Sequence, residues 1–157
     1  MTPAIKLLER TKTPHRVIEY EHRADAESFG IEAATVLDQP PAQVFKTLLA
    51  DVGQKKLVVA MVPVSGNLDL KALASAAKSK RALMADPKEA QRITGYLIGG
   101  ISPLGQKRQL PSFLDETALD FDEIFVSGGR RGLELALRPD HLIALTNATT
   151  AAIAKAI

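Results

Sequence analysis

Apolar positions at Ile5, Leu7 and Leu8 follow a capping Thr2 and a first-turn Pro3, which predicts an N-terminal helix ended by Pro14. His15 to Tyr20 alternates as a strand, with Val17 on one side and Arg16, Ile18 and Tyr20 on the other. A polar stretch (21–27) precedes a helix opened by Ser28, from Phe29 to Leu37, which the Pro40-Pro41 pair stops. Val44–Val52 and Leu57–Val64 flank a turn at 51–54 and predict a β-hairpin, its second strand apolar enough to be buried on both faces. Asp69–Lys78 reads as an Ala/Leu-rich helix, Arg81–Met84 as a short strand, and Asp86-Pro87 as the start of a helix through Ile93. A glycine-rich loop begins at Gly95. Strands at Glu123–Val126 and Leu133–Leu137 enclose a second such loop, and the leucines of the latter oppose Glu134. Pro139-Asp140 starts a last short helix, and an Ala/Thr-rich tail follows.

Strands and helices intermingle without regular βαβ units. The expected class is therefore mixed α/β, with a central, partly barrel-like sheet surrounded by helices. One domain over residues 1–157 suits this length. Aromatics are only 4% and tryptophan is absent, so Val, Leu, Ile and Ala must build the core. The 20 basic and 18 acidic side chains nearly cancel, which excludes a polybasic nucleic-acid binder but permits a local basic face. With no cysteine, disulfides, Cys-based zinc sites and a cysteine nucleophile are excluded. No apolar run approaches the ~18 residues that span a bilayer, so no membrane partner and a cytoplasmic location are expected.

The standard chemistries fail one by one. His15, His22 and His141 share no ligand spacing, so no metal is expected. Ser127 lacks a Gly-x-Ser-x-Gly elbow. The run from Gly100 to Lys107 has the look of a phosphate loop, but Gln106 interrupts it and Arg108 stands where a hydroxyl is needed. No Gly-x-Gly-x-x-Gly follows a strand, which removes the dinucleotide fold.

Lys46 is harder to dismiss. It sits within Val44-Phe45-Lys46-Thr47-Leu48-Leu49, where an inward charge is costly without a partner. Such a lysine either snorkels from an edge or enters a pocket. The loops at Gly99-Gly100-Ile101 and Ser127-Gly128-Gly129 are either plain turns or backbone donors. Taken together, an inward lysine, two glycine loops and the inward Glu134 describe a compact pocket for an ester or phosphate-linked ligand.

Three ordered motifs then point further: Gln43–Leu48, the loop Thr94–Gly105, and Val126–Glu134, preceded by Thr2-Pro3-Ala4 and Tyr20-Glu21-His22. Over essentially its whole length the chain resembles the YbaK family of Cys-tRNA(Pro) deacylases, relatives of the editing domain inserted in bacterial prolyl-tRNA synthetases. The resemblance implies hydrolytic clearance of cysteine mischarged onto tRNA(Pro), without a cofactor. Position by position, it implies that Lys46 is the essential lysine and that Tyr20, Phe29, Thr47, Gly99, Gly100, Ile101, Ser127 and Glu134 line the substrate pocket. Glu134 stands where the family often has aspartate, and Arg130 where it often has lysine. Lys107, Arg108, Arg130 and Arg131 are candidates for RNA contact, as is the Lys78–Arg81 cluster.

The resemblance also implies substrate-assisted chemistry, in which the cysteine thiol attacks its own carbonyl. A thiol of pKa ~8.5 supplies appreciable thiolate near neutral pH. The implied partners are mischarged tRNA(Pro) and, transiently, prolyl-tRNA synthetase, with no DNA. Two alternatives remain: a deacylase of the same fold that clears another small amino acid such as alanine, or a non-catalytic module that binds tRNA or synthetase.

Overall fold

The computed structural model describes residues 1–21 and 29–157, the side chains of Phe29 and Gly30 excepted. The fold is mixed α/β, as the element pattern predicts. In chain order it runs α1 (Pro3–Arg10), β1 (Arg16–Glu19), α2 (Phe29–Leu37), β2 (Phe45–Asp51), β3 (Leu57–Pro63), β4 (Gly66–Leu68), α3 (Leu70–Ala76), β5 (Leu83–Met84) and α4 (Pro87–Thr94). It continues with β6 (Ser112–Asp115), β7 (Ile124–Ser127), β8 (Leu133–Leu137), α5 (Pro139–Thr146), β9 (Thr149–Ala151) and β10 (Ala154–Ala156).

Among the described residues the strands form three sheets, ordered β5-β2-β3-β6-β9, β1-β8-β7 and β10-β4, and none closes into a barrel. A single parallel bridge, Val44 to Phe125, joins the first two. β3 is buried along its whole length, as its apolar run requires. Leu57, Val59 and Met61 face one core with Phe45, Leu133 and Leu135, whereas Val58, Ala60 and Val62 face another with Leu73 and Phe113. Local chemistry sets the helix ends. Asp69 and Asp86 accept from the backbone N–H of Ala72 (3.1 Å) and Glu89 (3.3 Å), and Gly95 ends α4 with φ of 82°.

Four strands escape the sequence reading: β4, β6, β9 and β10. β6 pairs in parallel with both β3 and β9, so no hairpin turn announces it. The Ala/Thr-rich tail becomes β9 and β10 because Asp115 organises it. This carboxylate is 2% exposed, and one oxygen accepts from the N–H groups of Ile153 and Ala154, both at 2.9 Å. Its other oxygen takes the Thr117 hydroxyl at 2.6 Å. Asp115→Ala is expected to leave these donors unmatched and to cost about 3–5 kcal/mol, a fall in Tm of about 10 °C. A thermal midpoint within about 2 °C of wild type would mean that the tail is held by something else.

Candidate active site

A cavity of about 520 Å³ opens along β2. It exists because β5 is only two residues long and pairs with β2 at Ala50 and Asp51 alone. The first half of β2 therefore has one free edge, and Lys46 and Thr47 on opposite faces of the strand both line the space beside it. β7 and β8 close one end with Ser127, Glu134 and the following turn, and the loop carrying Ile98, Gly99 and Ile101 closes a side.

The two glycine loops meet. A Cβ built on Gly100 falls 2.6 Å from the Arg130 Cα, an approach that only a glycine allows. Thr2 fixes the second loop from outside, its hydroxyl donating to the Gly128 carbonyl while it caps α1. The Gly100 N–H, expected to face substrate, instead donates to Leu97 at 2.9 Å, and Gly100 does not line the cavity.

Burial dominates the electrostatics of the site. Burial alone pushes the Glu134 carboxyl up to about 8, for it is 7% exposed. Burial also lowers the Lys46 ammonium, and no carboxylate of the described residues lies within ion-pair distance of it. Desolvation first, and then the acids Glu134 and Glu32, hold the Tyr20 hydroxyl up at about 12, so it stays a hydrogen-bond donor. The Thr47 hydroxyl oxygen is buried with no partner. Lys46, Thr47, Tyr20 and Glu134 thus bring four polar or ionisable groups to one small volume, the Thr47 hydroxyl without a partner.

The family described as the aminoacyl-tRNA editing domain matches residues 25–145. EbsC of Enterococcus faecalis, a proposed Cys-tRNA(Pro)/Cys-tRNA(Cys) deacylase, is 36% identical over 159 residues, covering 97% of this chain and 92% of its own length. The chain belongs to the aminoacyl-tRNA editing domain family. A solved structure described as a proposed trans-editing enzyme for prolyl-tRNA synthetase resembles it with a TM-score of 0.83 at 28% identity, covering 99% of this chain and 98% of that one. The hypothetical protein APE2540 has a TM-score of 0.87 at 19% identity, covering 98% and 100%, and speaks for the fold alone.

In this editing domain the residues expected at the site divide clearly. Lys46, Tyr20, Thr47, Gly99, Ile101, Ser127 and Glu134 share the cavity; the Phe29 side chain and His22 lie outside the described residues. Arg131, expected to meet RNA, lines the cavity and pairs at 3.1 Å with the buried Glu32 of α2. That pair braces the wall between α2 and the β7–β8 turn. Arg130 turns outward to Glu19 at 3.4 Å. Lys107 and Arg108 lie away from the cavity, beyond the loop, where the Lys107 N–H holds the Thr94 carbonyl.

Sequence reasoning missed Glu32, the charged residue of α2 and only 8% exposed. It also missed the apolar end of the cavity, formed by Leu49, Met84, Ala85, Pro87, Ala90 and Ile98. Only the packing of β5 and α4 against β2 assembles that end.

Proposed function

We propose that this editing domain is a trans-acting deacylase that hydrolyses cysteine from mischarged tRNA(Pro), working beside prolyl-tRNA synthetase as one domain over residues 1–157. One observation carries the reading: Lys46 and Glu134, both desolvated and without ion partners among the described residues, face one cavity with Tyr20, Thr47 and the Gly99 loop. The names of EbsC and of the trans-editing structure support the same substrate class.

An aminoacyl ester is already an activated acyl group. The Glu134 carboxylate faces the substrate's α-ammonium, which supplies the cation its buried position lacks. The N–H groups of Gly99 and Ile101, which make no backbone hydrogen bond, face the carbonyl oxygen and stabilise charge there. With its proton lost to solvent, the substrate's sulfur attacks its own carbonyl carbon. A C–S bond forms and the C–O bond to ribose breaks, giving a cyclic thioester. The ribose oxygen, held near the Lys46 ammonium, leaves with a proton from solvent, and water then opens the thioester to free cysteine. The scheme needs no nucleophile from the protein, and the chain has no cysteine to supply one.

A panel of tRNA(Pro) charged with cysteine, serine or alanine tests this. Cysteine is expected to leave at least ~10²-fold faster than serine, because an alcohol supplies almost no alkoxide at neutral pH. Equal rates for the two would point to an activated water. Fastest release of alanine would make this a deacylase for that amino acid, and release of none would make it a binding module.

A further inference from the structure

We propose that the acceptor end of tRNA reaches the cavity over the β5–α4 face, with the terminal base on the apolar end of the cavity and the preceding phosphates against Lys80, Arg81 and Lys88. This rests on the deacylase reading and adds a direction of approach and a base subsite to it.

The cavity is larger than its reactive end requires. Its volume of about 520 Å³ suits a nucleoside-sized ligand, whereas a cysteinyl group fills only a small part. Its two ends also differ in kind. β2 starts beside β7, where Lys46, Thr47, Ser127 and Glu134 gather, and finishes beside β5 and α4, where the lining is apolar. At roughly 3.3 Å per residue, Ala50 lies about 10 Å along the strand from Thr47. That is the scale of a ribose with its base. Met84 and Ile98 form the mouth at this end, each 51% exposed. A flat base with little charge would cover them, and a free apolar lip facing solvent otherwise has no partner.

Charge continues in the same direction. Lys80 and Arg81 lead into β5, and Lys88 is the second residue of α4. All three are exposed and make no ion pair among the described residues. Of the neighbouring acids, Glu89 is offset by Arg92 (2.8 Å), and Asp51 and Asp86, which keep their charge while accepting from the N–H groups of Gly53 (2.8 Å) and Glu89, are two against these three cations. The face is therefore net positive where a strand leaving the cavity would carry its phosphates. Arg130 is paired, and Lys107 and Arg108 lie off the cavity.

Two measurements, neither needing turnover, test the proposal. In the first, binding of uncharged tRNA is followed against salt. A Lys80→Glu/Arg81→Glu/Lys88→Glu variant is expected to bind at least ~10-fold more weakly, with the log–log salt slope reduced by about 2–3, while Lys107→Glu/Arg108→Glu stays near wild type. Equal losses in both variants, or loss only in the second, would overturn the route. In the second, adenosine monophosphate is titrated against the methyl signals of Met84, Ala90 and Ile98, with ribose 5-phosphate as control. The nucleotide alone is expected to move them; no shift, or equal shifts from both, would overturn the base subsite. If the wild-type protein binds tRNA in this way yet releases no amino acid, the deacylase reading fails while the surface stands.

Discussion

Lys46→Ala is expected to lower kcat/KM for cysteine release by about 10²-fold or more, a loss of about 3 kcal/mol of transition-state stabilisation, with no loss of thermal stability. The side chain is half-buried at an open strand edge, and its charge is disfavoured there by desolvation. Removing it breaks no ion pair among the described residues, so the fold should be unaffected or slightly firmer. The effect belongs to the reaction, in which the ammonium meets the leaving ribose oxygen. Lys46→Arg keeps the charge but spreads it over a planar fork, so partial activity is expected. Deacylation under single turnover, with circular dichroism melts of the same samples, checks both. A folded alanine variant with a near-normal rate would remove Lys46 from the mechanism.

Glu134→Gln is expected to make the protein more stable and less active, and both effects should grow with pH. The wild-type carboxyl titrates at about 8 in the fold, against an ordinary value of 4.5. Between those values the unfolded chain is ionised while the folded chain keeps its proton. Stability therefore falls as pH rises through this window and levels off above about 8. The full difference is at most about 4–5 kcal/mol. The glutamine variant escapes that fall. Its Tm should match wild type near pH 4 and exceed it by up to about 10 °C near pH 8. Activity should move the other way: the ionised glutamate binds the substrate's ammonium, so wild-type kcat/KM climbs toward pH 8. The variant should lose this limb and retain only that of the substrate thiol. Parallel pH series of melts and of kcat/KM would reveal it; superimposable profiles for the two proteins would contradict the assignment.

The elements read correctly from the sequence carry their instructions locally. α1 and α4 have a capping side chain, a proline in the first turn and a clear apolar face; β2 and β3 are joined by a tight turn. The elements missed depend on distant partners. Ser112–Asp115 is a strand because β3 and β9 lie on either side, and the tail is ordered because Asp115 collects its N–H groups. The site shows the same division. A lysine within an apolar run and two glycine loops mark themselves as unusual, yet Arg130 and Arg131 are indistinguishable by composition. One reaches outward to Glu19, and the other lines the cavity against Glu32.

By itself the sequence determined the mixed α/β class, most of the helix starts, the central hairpin and the residue types of the reactive end, because each rests on propensity, capping or periodicity within a few residues. Only the tertiary structure decided that β5 stops after two residues and leaves the first half of β2 with one free edge, that the two glycine loops touch, and that an apolar chamber extends from the polar end. Those features arise where segments far apart in the chain exclude water from one another, and no local pattern encodes such a meeting.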